Sequence, residues 1–211
     1  MSLKELRYEF ESRLDFYLKS MFDGQEGVKL GKNKVTIKKG KSTAHIDFVF
    51  LNNLHAYGAI IVVKSPTLKS ELDTFHPPYK SNLPNDEYIY CISTMGEKDG
   101  CPLLPSTEDG IEKTCRLLLD RLKNAQLPAV FNLLDVNEDL VWDIISHPKY
   151  YSYPFLLILL AIKRNNISKN DIDGDVLFSE KTLGFNSDKD IKLEFNKKSF
   201  KNIYNKSRIR N

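Results

Sequence analysis

Two apolar segments, Ala44–Leu51 and Ala56–Val63, stand on either side of Asn52-Asn53-Leu54-His55. Both are rich in β-branched and aromatic residues and too short for typical buried helices, which marks them as strands. In the first, His45, Asp47 and Val49 alternate with Ile46, Phe48 and Phe50, so the two sets point to opposite faces of a sheet. The second becomes the unbroken run Ala59-Ile60-Ile61-Val62-Val63, the pattern of a central strand covered on both sides. The pair reads as antiparallel neighbours around which helices pack.

Helical spacing governs much of the rest. Leu3, Leu6, Phe10, Leu14, Tyr17, Leu18 and Met21 form one apolar stripe. Glu5, Arg7, Glu9, Glu11, Arg13, Asp15 and Lys19 are assigned to the remaining surface, and Ser2 with Glu5 resembles a capping box. Val28–Leu30 and Lys34–Ile37 read as short strands whose lysines protect an exposed edge. Pro66 starts a short helix through Phe75; Pro77, Pro78 and Pro84 then disfavour regular structure, and Glu87–Thr94 reads as a further strand. Ile111, Cys115, Leu118 and Leu122 form the stripe of a helix capped by Ser106 or Thr107 and closed at Asn124–Pro128. Helices are expected over Ala129–Leu134, over Glu138–Ile145 with Trp142 anchoring an edge of the core, and over the apolar Phe155–Arg164. Strands followed by helices give an α+β fold, an antiparallel sheet with helices packed mainly on one face. The expected organisation is a main domain over 1–165 and a C-terminal extension over 166–211, partly packed against it. From about residue 196 onward, looser packing is expected.

Charge refines this picture. The chain of 211 residues carries +3 at pH 7, but residues 181–211 hold nine basic and three acidic side chains. That end carries +6 and the remainder −3, so the main domain lacks the basic bias of a duplex-binding surface. Nucleic acid is therefore not the expected partner. Cys91, Cys101 and Cys115 are odd in number and lack CxxC spacing, which favours reduced thiols and a cytoplasmic location. The charged N-terminus lacks the apolar core of a secretory signal, and no apolar run approaches bilayer length, so no membrane association is expected.

Three stretches, ELRYEFESRLDFYLKSMF, HIDFVFLNNLHAYGAIIVV and STEDGIEKTCRLLLDRLKNAQLPAVFNLL, carry a resemblance at the level of layout. Over roughly residues 3–165 the chain resembles small bacterial α+β proteins of the DUF4304-like and polymorphic-toxin immunity type. Immunity members block a toxin by binding it. The resemblance therefore implies a non-enzymatic module whose partner is a cognate toxin or another bacterial protein.

Candidate chemistry is sparse. His45, His55, His76 and His147 form no HExxH or His/Cys cluster, and no glycine-rich nucleotide fingerprint or GxSxG elbow occurs. No cofactor is expected. Asp47 followed by Val62-Val63-Lys64 invites comparison with PD-(D/E)xK nucleases. In that alternative Asp47 contributes a magnesium ligand, Lys64 orients water, His45 flanks Asp47, and Glu71 substitutes for the acid that Val62 replaces. The leading expectation is instead a partner-binding surface. It combines Phe75, His76, Tyr79, Tyr150, Tyr151 and Tyr153 with an acidic patch of Glu108, Asp109 and Glu112. Tyrosines bury amphipathic area with modest rotamer loss, and the acids complement a basic toxin. A secretion chaperone or structural adaptor is the further alternative. None of these patterns specifies an oligomeric state.

Overall fold

The computed structural model describes residues 2–97, 99–168, 171–185 and 187–207, with side chains described as far as residue 203. Helix α1 (Leu3–Met21) starts at a complete capping box. The Ser2 hydroxyl accepts from the Glu5 amide while the Glu5 carboxylate accepts from the Ser2 amide. Strands β1 (Val28–Gly31), β2 (Lys34–Lys39), β3 (Ser42–Leu51) and β4 (Ala56–Lys64) follow, then α2 (Pro66–Asp73) and β5 (Tyr88–Ser93). The five strands form one antiparallel sheet in the order β1-β2-β3-β4-β5, so the expected α+β class holds. Registers such as Val35↔Ile46 and Ile37↔Ala44 place Val35, Ile37, Ala44, Ile46 and Phe48 on one buried face. Thr36, His45, Asp47 and Val49 on the other face are only half-buried.

Contacts divide the chain into two compact units, 1–63 with 91–130 and 64–90 with 131–211. In the first, α1 packs on α3 (Glu108–Arg121). Phe10, Leu14 and Leu18 of α1 and Ile111, Cys115 and Leu118 of α3 are all buried, each aliphatic side chain contributing about 2 kcal/mol of burial. The Phe10 and Tyr57 rings stack at 4.3 Å, tying α1 to β4. Ile61 and Val63 of β4 are buried, whereas Ile60 and Val62 are half-buried. The expectation of a strand fully covered on both faces is thus corrected: its continuous apolar run includes partly open positions.

The helix begun by α3 does not close at Pro128. Thr107 caps it, its hydroxyl accepting from the Gly110 amide, and a π-turn over Leu122–Gln126 carries the chain into α4 (Leu127–Asp135). Proline has no amide hydrogen and its ring crowds the carbonyl four residues back. The wider turn, with Leu127 N–H donating to Leu122 C=O, accommodates that conflict without ending the helix.

The second unit is helical. It contains α5 (Asp139–Ser146), α6 (Pro154–Asn165), the short α7 (Gly174–Leu177) and α8 (Lys189–Ser207). Residues Pro154 to Ile162 of α6 are all buried, and α6 packs on both α5 and α8. Phe178 meets Phe155 at 5.7 Å and Phe200 edge-on at 5.2 Å. Residues 131–165 thus share a unit with the expected extension, because an all-round apolar helix must be covered on every side. The expectation of loose packing beyond residue 196 is corrected where Asn196 and Ser199 are 2% and 8% exposed; its last four residues, 208–211, lie outside the described residues. Trp142, expected at a core edge, is 54% exposed. Among the described residues, no helix is long and apolar enough to cross a membrane.

Candidate functional site

The expected acids of the binding surface are already engaged. On α3, Glu112 accepts from Tyr17 Oη and from Arg116 Nε at 2.6 Å, and it pairs with Arg13 at 3.3 Å. The hydrogen bond from Tyr17, followed by that from Arg116, holds the Glu112 carboxyl below its ordinary range. Glu108 pairs with Arg13 at 3.6 Å and Asp109 with Lys113 at 2.6 Å. The expected free acidic patch is therefore a neutralised network.

The aromatic part of the expected surface divides by burial. Tyr151 is 1% exposed, with its ring 5.0 Å from that of Tyr90. Its assignment as a contact residue is corrected: it is core, fixed by a bridge between Tyr90 and Tyr151, and burial raises its phenol pKa. Tyr79 is half-buried, donates to Asn196 Oδ1 at 3.1 Å and meets Phe195 edge-on. Tyr153 and Phe75 are half-buried and His76 is exposed. Tyr150 stacks on His147 at 5.7 Å, and both line a cleft of about 590 Å³ with Lys149 and Lys181.

The four residues of the nuclease alternative each have other partners. Asp47 pairs with Lys34 at 3.0 Å, and His45 Nδ1 lies 3.2 Å from Thr36 Oγ1. Lys64 pairs with Glu87 at 2.5 Å, and Glu71 pairs with Arg164. Among the described residues, no group of three or more His, Cys, Asp or Glu side chains is placed to hold a metal ion. The Cys115 thiol, buried and donating to the Phe10 carbonyl at 3.8 Å, is pushed up to about 12 by burial. It stays protonated and is a poor nucleophile.

Two features escaped the sequence reading. The first is Glu11, assigned to the wet face of α1 but only 4% exposed. It accepts from Arg7 Nε at 2.7 Å and from Tyr57 Oη at 3.0 Å, and pairs with Lys32 at 2.9 Å. Burial pushes its carboxyl up, but the three partners outweigh burial and leave it below the ordinary glutamate value. Glu11 thus stays anionic at neutral pH and lines, with Arg7, Lys32 and Asp47, a cleft of about 520 Å³. Burial and then the Glu11 charge raise the Tyr57 phenol, so Tyr57 remains a hydrogen-bond donor. The i,i+4 placement of Arg7 and Glu11, with Glu11 beside Phe10 and three residues before Leu14, was the available signal.

The second is an exposed aromatic pair on the outer face of α1. Tyr8 is 72% exposed and Phe16 is 64% exposed, about 12 Å apart along the axis with Ser12 between them. Phe16 meets the Tyr17 ring edge-on at 5.6 Å, and the Arg116 guanidinium lies over the Tyr17 ring, 5.7 Å from its centroid. Phe16 is thereby continuous with the Glu112 network. The result is two exposed aromatic side chains, of which Phe16 adjoins a network of paired charges, an arrangement suited to a protein interface. No protein-family model, curated protein or solved structure matches the chain.

Proposed function

We propose that this chain is a non-enzymatic protein-binding module and, in its most concrete form, an immunity protein that neutralises a bacterial toxin by steric occlusion. The observation that carries the reading is the exposure of Tyr8 and Phe16 on one regular helix face, held rigid by the α1–α3 packing beneath it. A rigid helix presenting aromatic side chains loses little conformational entropy on binding. The network of Arg13, Glu108, Glu112 and Arg116 beside Phe16 supplies a polar rim that excludes water around the anchors. In this reading the expected acids act through that rim instead of as a free acidic patch.

The test is affinity capture with the tagged chain and with a Tyr8→Ala/Phe16→Ala double variant, followed by direct titration of any stoichiometric partner. Both positions are exposed, so the variant should fold normally, while affinity should fall at least tenfold. The toxin form of the reading further requires that the partner be harmful when expressed alone and harmless when co-expressed with this chain. A partner held equally well by the double variant overturns the α1 surface; a harmless partner points to an adaptor or secretion chaperone.

A further inference from the structure

We propose that β1 is a docking edge that accepts an acidic, extended polypeptide segment as an additional strand. β1 stands first in the sheet order and pairs on one side with β2. Lys38 N–H donates to Gly27 C=O at 2.8 Å, which fixes the phase of the antiparallel ladder. Alternation then makes Lys29↔Thr36 the next mutually bonded pair and directs the backbone groups of Val28 and Leu30 away from β2. Val28 N–H turns back to the Gln25 carbonyl, which among the described residues leaves Val28 C=O with Leu30 N–H and C=O for an incoming strand. An extended polypeptide backbone offers donors and acceptors in that sequence.

The charge of this edge selects the occupant. Between Gly27 and Ile46 the chain has six lysines and no acidic residue. Lys32 is drawn to Glu11 and Lys34 to Asp47. Lys29, Lys38 and Lys41 are exposed and make no ion pair among the described residues. Lys29 and Lys38 share the half-open sheet face with Thr36, Thr43 and His45, while Leu30, 37% exposed, points to the opposite face. An incoming strand with carboxylates on one face and apolar side chains on the other satisfies both. A second copy of the chain would bring lysines against lysines, so the same charges that block self-pairing favour an acidic partner. Apart from His45, that face of β1–β3 carries no aromatic residue for stacking bases, which favours a polypeptide over single-stranded nucleic acid.

The full chain would be titrated with a labelled short peptide alternating glutamate and valine, its lysine–valine counterpart, and a single-stranded oligothymidine. Binding confined to the acidic peptide, weakened by salt, and accompanied by slowed hydrogen exchange at the Leu30 amide is expected. Lys29→Glu/Lys38→Glu should lower affinity about tenfold. Leu30→Pro should abolish binding without disturbing the β1–β2 ladder, because the amide it removes faces outward. Tyr8→Ala/Phe16→Ala should leave this binding unchanged, which separates the β1 site from the α1 surface. Absence of peptide binding, preference for the oligothymidine, or unchanged Leu30 exchange in the complex each overturns the proposal.

Discussion

Replacing Glu11 by Gln isolates the charge of a buried carboxylate while keeping its shape and one acceptor oxygen. The sign of the effect follows from its surroundings: the folded chain favours the anion over the protonated acid despite burial. At neutral pH the variant loses the ionic character of the Arg7 bond at 2.7 Å and the Lys32 pair at 2.9 Å, and weakens the bond from Tyr57. Arg7 and Lys32 side chains are 44% and 71% exposed, so their contributions are screened and the released cations rehydrate. Relief from burying a charge offsets a further share. The net loss should be about 1.5 kcal/mol. Because the folded pKa is depressed, this stabilisation is complete above the ordinary value of 4.5 and disappears as pH falls through the lower folded value. Urea unfolding followed by far-ultraviolet circular dichroism should therefore show a lower midpoint for Glu11→Gln at neutral pH, with unchanged slope. The difference should shrink between neutral pH and an acid pH below the ordinary value of 4.5, as the carboxylate is protonated. A variant as stable as wild type at neutral pH, or equally destabilised at both pH values, refutes the electrostatic account.

Tyr151→Ala should cost about 4 kcal/mol, since it removes a ring that is 1% exposed and packed on Tyr90; thermal unfolding should show a markedly lower midpoint or no cooperative transition. Gly184→Ala should destabilise by at least about 2 kcal/mol in the same measurement. Gly184 has φ of +81°, and an added Cβ would lie 2.5 Å from Asn82 Nδ2 and 3.0 Å from the Pro148 carbonyl oxygen. Preserved stability in either variant would contradict the packing described for that position.

The sheet was legible because β3 obeys a strict two-residue alternation, with Ile46 and Phe48 buried and Asp47 half-buried as the pattern requires. Helices α1 and α3 were legible from their apolar stripes and caps, and α5 and α6 from their concentration of apolar residues. Misreadings arose where one residue type has two physical solutions. Pro128 read as a stop because proline opposes an ordinary helical turn, whereas a π-turn accommodates it. Glu11 read as solvated because an isolated carboxylate is, whereas three donors hold this one inside. Lys192, within the basic C-terminal end, is 2% exposed, and its ammonium donates to Asn82 Oδ1 and the Phe185 carbonyl. Burial lowers its pKa, with Asp188 acting in opposition. At the binding surface, adjacency of tyrosines drew notice to Tyr150, Tyr151 and Tyr153, but exposure belonged to Tyr8 and Phe16, which lie outside the apolar stripe. Such outliers on a helix wheel are the readable sign of an outward anchor.

The π-turn before Pro128 also sets a constraint on length. Leu122, Gln126 and Val130 are all buried at intervals of four residues, and Lys123, Asn124 and Ala125 between the first two are exposed. An ordinary helix advances 100° per residue, so two such intervals drift by about 80° from the buried line. The wide turn absorbs that drift and acts as a one-residue phase correction. A homologous chain with no proline at this place would be expected to keep the same buried line with one residue fewer, its gap falling among the exposed residues 123–125. Helix phase, counted in single residues, is then the property that insertions and deletions in this segment must conserve.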